Sequence, residues 1–314
     1  MSAKTTTCWR PFSDKSPWNT RIPANPAIDS RSGIMINDLS LCSCKGKIGM
    51  NINEWSIPVF YVDDRTTRWS EISYSYAKKF CHPHLLESAP IPKHAKPDPQ
   101  GDAHLCIINE SKTKSWDFWA LKKYEGKWLA RSARGFDLRG TGVLKPGEGA
   151  CRAAGFPLIA GLIRPEEIKQ GIIEHALVFA YDIPKRGAYV TPASNSDGMS
   201  TREGAIPEGA RLQLNPKLDI EKLNLNPAAK IIARALQEYG MFLGDGAGDI
   251  AIYAENFAYK AKSPWQGILS EKDLYGIPYD ELRVLKLPGI QNKGIPLDWP
   301  SDKSSDRDKL LTCG

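Results

Sequence analysis

No apolar run in the 314-residue chain approaches the ~20 residues that a bilayer-spanning helix requires. Histidine is scarce, with five in all. The chain contains no GxSxG elbow, Walker phosphate loop, GxGxxG or HExxH, so serine-hydrolase, nucleotide and zincin chemistry lack their signatures. Charge of one sign is also missing: the formal net charge of +6 is too small for this length to argue for nucleic acid, which calls for a concentrated basic face. Among the seven cysteines there is no CxxC, and Cys42-x-Cys44 without a matching second pair is a poor zinc pattern.

What is present describes a globular chain, 41% hydrophobic and 25% charged. Cys8 and Cys313 lie at opposite ends and several other cysteines sit among loop residues, which suggests disulfides that tie down termini and loops. The odd count leaves at least one thiol over. Met1 to Thr7 has no apolar signal core. The cysteine usage therefore points to the mature form of a secreted (extracellular or periplasmic) protein rather than a cytosolic one.

Proline and turn formers crowd the first hundred residues, so extended segments broken by turns are expected there. Ile57 to Val62 and Ala103 to Asn109 read as strands. Trp116 to Tyr124 and Trp128 to Asp137 read as two more, joined by Glu125-Gly126-Lys127 into a hairpin. Ile172 to Tyr181, Ile250 to Ala254 and Leu282 to Leu287 are further strands. Two helices interrupt this pattern. One follows Arg164, with Pro165 at its first position, acids in its first turn and Gly171 beyond its end. The other runs from Pro227 to Tyr239, capped by Asn226, with Ile231, Ile232, Ala235, Leu236 and Tyr239 at helical spacing. The fold class is mainly β, a β-sandwich or irregular jelly roll with two short helices. It forms a single compact domain over residues 1–314, with an extended N-terminal arm (1–50) and a polar C-terminal tail (295–314).

Two histidines stand within predicted strands. Alternation puts His175 with Ile173, Leu177, Phe179 and Tyr181, facing a core or a cleft floor. It also puts Asp102, His104, Cys106 and Ile108 on one face, so that carboxylate and imidazole can meet. Each histidine is either a satisfied core residue or a general base. His82 and His84 form a possible metal pair without a third ligand, and Asp245 and Asp249 bracket a glycine-rich turn that lacks the spacing of a calcium loop. Neither metal nor cofactor is expected. The stretch from Lys112 to Arg139 is locally basic and carries Trp116, Phe118, Trp119 and Trp128, a combination that can grip sugar rings and acidic groups. It is equally a solvated hairpin over core aromatics. Arg134, Arg139, Arg164 and Arg211 sit beside strand ends or turns from which they could reach a cleft.

Trp18-Asn19-Thr20, Gly101-Asp102-Ala103-His104, Gly135-Phe136-Asp137-Leu138, Ala154-Gly155-Phe156-Pro157-Leu158, Glu174-His175-Ala176-Leu177-Val178-Phe179, Ala210-Arg211-Leu212 and Tyr239-Gly240-Met241 together resemble a widespread group of exported microbial single-domain β proteins. The resemblance runs from Trp18 to Ala254. It implies export and a single domain, and brings no activity with it. After Pro192-Ala193, where that group leads one to expect a histidine, this chain has Ser194-Asn195.

The leading expectation is a carbohydrate-active enzyme on an acidic polysaccharide, acting as a lyase by β-elimination. Arg134, Arg139 or Arg164 would neutralise the uronate, with Arg211 a further substrate-binding residue; His175 or His104 (the latter beside Asp102) would take the proton, Tyr181 or Tyr189 would donate one, and Trp119 and Trp116 would hold the sugar. The alternatives are a glycoside hydrolase with paired carboxylates drawn from Asp102, Asp117, Asp137 and Glu174, and a non-catalytic carbohydrate- or surface-binding protein. No nucleic acid or membrane insertion is expected.

Overall fold

The computed structural model describes residues 8–42, 45–75 and 85–292. The chain is mainly β, with several mixed sheets in a sandwich-like stack. His82, His84, Cys44, Cys81, Cys313 and the expected C-terminal tail fall outside the described residues.

The largest sheet has six strands in the order Gly49–Asn51, Ala251–Tyr253, Leu177–Tyr181, Met241–Gly246, Arg211–Leu214 and Leu282–Val284. Leu177–Tyr181 is parallel to Met241–Gly246 and antiparallel to Ala251–Tyr253. A second sheet orders Val59–Val62, Leu105–Asn109, Lys114–Trp119 and Ser132–Asp137, and a third orders Ser88–Ala89, Ser70–Tyr74, Lys127–Ala130 and Lys122–Tyr124. Ala188–Tyr189 pairs with Gln291–Asn292.

Strand alternation sorts side chains into three cores. Leu177, Phe179, Tyr181, Met241, Leu243 and Ile252 face one way, under the helices. Val178, Ala180, Phe242 and Tyr253 face the other way and meet Val59, Cys106 and Ile108 of the second sheet, with Trp18 and Phe156 between. The opposite face of that second sheet, with Phe60, Leu105, Ile107, Trp116 and Phe118, packs on Ile72, Trp128 and Ala130 of the third. The order is therefore helices, six-stranded sheet, second sheet, third sheet.

Three α-helices are present among the described residues. Helix α1 (Ser32–Leu39) lies in the N-terminal arm and buries Met35, Ile36 and Leu39. The sequence reading missed it because glycine and β-branched residues give it little intrinsic helix preference and its Arg31 cap makes no side-chain bond. Helix α2 (Pro165–Gln170) ends on left-handed Gly171, and α3 (Pro227–Glu238) is capped by the Asn226 side chain accepting from the Ala229 N–H; both match expectation.

The predicted hairpin divides between two sheets. Lys114–Trp119 pairs with Ser132–Asp137 in the second sheet, whereas Lys122–Tyr124 pairs with Lys127–Ala130 in the third. The break falls at Ala120, whose φ of 51° is left-handed, and the tight turn uses Glu125 and Gly126, both at positive φ. Trp116, Phe118 and Trp128 are thereby core residues, and Trp119 alone of the four aromatics is half-exposed.

For the described cysteines the disulfide expectation is corrected. Cys8, Cys42, Cys106 and Cys151 are free thiols, the last three buried. The Cys106 and Cys151 thiols flank Asp117, and Cys151 Sγ donates to its carbonyl at 3.1 Å. They behave as small buried groups of the core rather than as staples.

Candidate functional site

The expected residues separate into different places. His175 and Arg164 form one network. His175 precedes its strand, so the face assigned to it by alternation does not apply. Its Nε2 meets Glu167 Oε1 at 2.9 Å and its Nδ1 meets the Ala176 carbonyl at 3.0 Å, all buried. Arg164, 1% exposed, binds both Glu166 and Glu167. Burial alone would raise the Glu167 carboxyl, but His175 and Arg164 outweigh it and hold it at about 2.

Tyr181 lies on the helix side of the six-stranded sheet, where its hydroxyl donates to Asp38 Oδ2 at 3.3 Å and accepts the Ile206 N–H at 2.8 Å. Burial, followed by the Asp38 carboxylate, raises its phenol well above the ordinary value, so it keeps its proton. Arg211 is spent on the carbonyls of Tyr239 and Thr20. Arg139 clasps Asp137 at the surface through Nε and Nη2. Trp116 is buried edge-on to Trp69. Of the hydrolase carboxylates, Asp117 is sealed in the core against the Leu158 N–H at 2.7 Å, Asp137 is held by Arg139, and Glu174 lies partly buried beside His175.

Asp102, His104 and Trp119 do come together. They do so around a residue the sequence reading overlooked, Arg152. The Trp119 indole donates to Asp102 Oδ1 at 3.2 Å, and the Arg131 guanidinium sits 5.4 Å from the Trp119 ring centre. His104 Nε2 lies 3.1 Å from the Cys151 carbonyl. A carbonyl only accepts, so Nε2 carries the proton and Nδ1 is the bare nitrogen of the neutral ring. Nδ1 has no hydrogen bond among the described residues. Burial first, with Arg152 as a like charge, lowers the His104 pKa to about 4 against the opposing pull of Asp102.

Arg152 is 2% exposed, and its guanidinium carbon stands 4.3 Å above the Tyr253 ring. Its Nε and Nη1 are buried without a hydrogen-bond partner. Burial and then the Asp245 carboxylate push the Tyr253 phenol well above the ordinary value.

The loop that delivers Arg152 is pinned from several sides. Arg134 Nη1 donates to the Gly149 carbonyl at 2.9 Å and its Nη2 to Glu148 at 2.7 Å, so this arginine builds the site without facing into it. Ser194 Oγ donates to the Glu148 carbonyl at 2.7 Å, and the Gly147 N–H donates to the Ser194 carbonyl. The serine at the place where histidine was expected thus ties two loops together.

Asp245 enters through a β-bulge. Phe179 pairs with Leu243 but Ala180 pairs with Asp245, leaving Gly244 as the extra residue. Without the bulge Asp245 would follow Met241 and Leu243 into the helix-side core; with it, Asp245 shares the face of Ala180 and approaches Arg152. Burial, Asp197 and Asp102 raise its carboxyl to about 8, against Arg152. Asp197, Glu208 and Asp245 each bring a carboxylate oxygen within 4.8 Å of the others.

Tyr61, His94, Lys112, Glu166, Glu255 and Tyr259 line an open cleft of about 680 Å³ elsewhere on the molecule, which shares no lining residue with the Arg152 cluster. No protein-family model, curated protein or solved structure matches this chain.

Proposed function

We propose that the chain is a polysaccharide lyase that breaks an acidic polysaccharide by β-elimination at the cluster of Arg152, His104, Asp102 and Tyr253. The observation that carries this reading is the Arg152 guanidinium, buried with Nε and Nη1 unpartnered. A charge kept from water without a partner is costly, and a planar carboxylate offers it a charge-assisted, bidentate partner. Neutralising a uronate carboxylate is the first requirement of elimination, since it acidifies the neighbouring C–H bond.

His104 supplies the base. Its ring is neutral near pH 7, with the proton on Nε2 fixed by the Cys151 carbonyl and the Nδ1 lone pair unused by the described residues. In the step, the C–H electron pair forms the new C=C bond, the proton passes to Nδ1, and the C–O bond to the leaving sugar breaks. Asp102 stabilises the imidazolium. Tyr253, which keeps its proton at neutral pH, gives it to the leaving oxygen, and water then resets both groups. Trp119, half-exposed beside Asp102, offers a ring face near the same place. Tyr253 takes the donor role earlier considered for Tyr181, which lies across the sheet.

With a uronate polymer as substrate, the setting would be outside the cell. Export rests on that substrate class and not on disulfides, which the four described thiols do not make.

The test is product analysis on a panel of uronate polymers. Elimination gives the ultraviolet absorbance of an unsaturated uronate; new reducing ends without it would replace the lyase with a hydrolase, and binding without new ends would leave a recognition module. Arg152→Met should lower kcat/KM by about 10²–10³-fold, and His104→Gln by roughly 10²–10⁴-fold.

A further inference from the structure

We infer that Asp197, Glu208 and Asp245 form a binding site for a hard divalent cation of the Ca²⁺ type, beside the proposed elimination centre. The three come from separate parts of the chain: the loop after Val190, the turn before Gly209, and the bulged strand end. Their carboxylate oxygens nevertheless converge within 4.8 Å of one another.

Proximity of acids alone would not suffice. The independent observation is Glu208 Oε1. Glu208 is 0% exposed, and this oxygen is sealed from water with no hydrogen-bond partner. Its other oxygen accepts the Asp197 backbone N–H at 3.2 Å, which fixes the side chain with Oε1 unsatisfied. A buried carboxylate oxygen left this way carries a desolvation cost that a bound cation removes.

Charge balance points the same way. None of the three acids takes part in an ion pair among the described residues. Asp102 adds a fourth carboxylate near Asp245 and Tyr253, and Arg152 is the basic side chain whose charge those groups feel. A divalent cation held by these oxygens offsets two units of carboxylate charge beside Arg152. The donors are all hard oxygens, which favours Ca²⁺ over thiolate- or imidazole-seeking metals. This site rests on its own geometry. Its connection to catalysis rests on the lyase reading.

Close packing keeps the ligands in place. Gly209 follows Glu208 at φ +86°, and a Cβ there would lie 1.8 Å from the Val190 carbonyl oxygen, so the turn carrying Glu208 requires glycine.

The experiment is calorimetric titration of chelator-treated full-length protein with CaCl₂, alongside thermal unfolding, in the absence of any polysaccharide. The expected result is saturable binding at one site and a Tm rise of about 3–8 °C at a hundredfold excess over Kd. Asp245→Asn and Glu208→Gln should each weaken binding at least tenfold. Asp197→Asn, at an exposed position, should do the same in a variant whose core is untouched. Asp249→Asn, outside the cluster, should bind as wild type. No heat and no Tm change with Ca²⁺ would overturn the inference, as would binding that survives all three cluster variants. A Glu208→Gln chain more stable than wild type together with absent binding would assign the cluster to carboxyls sharing protons. Binding without lyase activity would leave the cation site standing and remove the lyase.

Discussion

Arg152 and Arg164 are both almost wholly buried guanidinium groups, yet they differ in what surrounds them. Arg164 has Glu166 and Glu167 as partners, and Glu167 also holds His175. Only Arg164 Nε is left without a partner; the group is a structural network, and its removal should cost stability. Glu167→Gln leaves Arg164 buried without full compensation and should cost about 3–5 kcal/mol by denaturant unfolding. The pH dependence has a defined sign. The folded Glu167 carboxyl titrates at about 2, below its ordinary value of 4.5, so its stabilising contribution is present above pH ~4.5 and is lost as pH falls toward 2. Wild type should lose stability across that window, and Glu167→Gln should lose less. His175→Ala should lower the Tm by several degrees, because it leaves Glu167 Oε1 short of a partner; a variant as stable as wild type would contradict a structural role for this histidine. Arg152 has no such network. Its Nε and Nη1 are both unsatisfied, whereas Arg164 leaves only Nε without a partner and pairs with two carboxylates; on the proposed reading that difference marks Arg152 as the substrate-binding arginine.

At the scale of elements, the bulge at Gly244 deserves to be tested directly. It turns Asp245 from one core to the other, and the missing side chain at Gly244 leaves room for Arg152 and Phe156: a Cβ there would stand 3.2 Å from Arg152 Cδ, 3.0 Å from Phe156 and 2.7 Å from Val178. Gly244→Ala should therefore cost about 1–3 kcal/mol through overpacking and should displace Arg152. If the proposed elimination takes place at Arg152, turnover should fall further than stability, which parallel assays of turnover and urea unfolding would resolve. Sequence patterning could not foresee this. Period-2 alternation assigns Asp245 to the face of Leu243, and only the one-residue register shift reverses it. The same limit applies to the Trp116–Asp137 hairpin. Its strands were legible in the alternating apolar residues, but the left-handed Ala120, where the chain passes from one sheet to another, has no signature of its own. Helices α2 and α3 were legible because proline, asparagine and glycine mark their ends chemically. Helix α1 lacks such marks.

For the whole molecule, three cores stacked between helices and sheets explain why the expected residues scatter. Tyr181 faces the helices, whereas His104 adjoins the core between the first and second sheets, so a sheet of buried side chains stands between them. The sequence reading paired Asp102 with His104 by strand alternation, but the strand begins only at Leu105 and Ala103 is left-handed at φ 37°, so the two meet through a turn, and nothing in the sequence joined Trp119 to them. Arg152 was not foreseen because it lies in a loop without periodicity, beside a cysteine that drew attention as a disulfide candidate. The acids at 197, 208 and 245 converge only through tertiary structure, and Asp245 alone among them stood in a recognisable turn. The scaffold thus brings a guanidinium with two unpartnered nitrogens, a neutral imidazole and several carboxyls to one end of the inter-sheet core.

The central claim is that Arg152 receives a carboxylate. Calorimetric binding of a uronate trisaccharide, compared with the same trisaccharide whose carboxyls have been reduced to alcohols, tests it most directly. In a His104→Gln background, which suppresses turnover, the acid should bind at least tenfold more tightly than the alcohol, and Arg152→Met should abolish that preference. Equal affinity for the two sugars, or a preference that survives in Arg152→Met, would contradict the account.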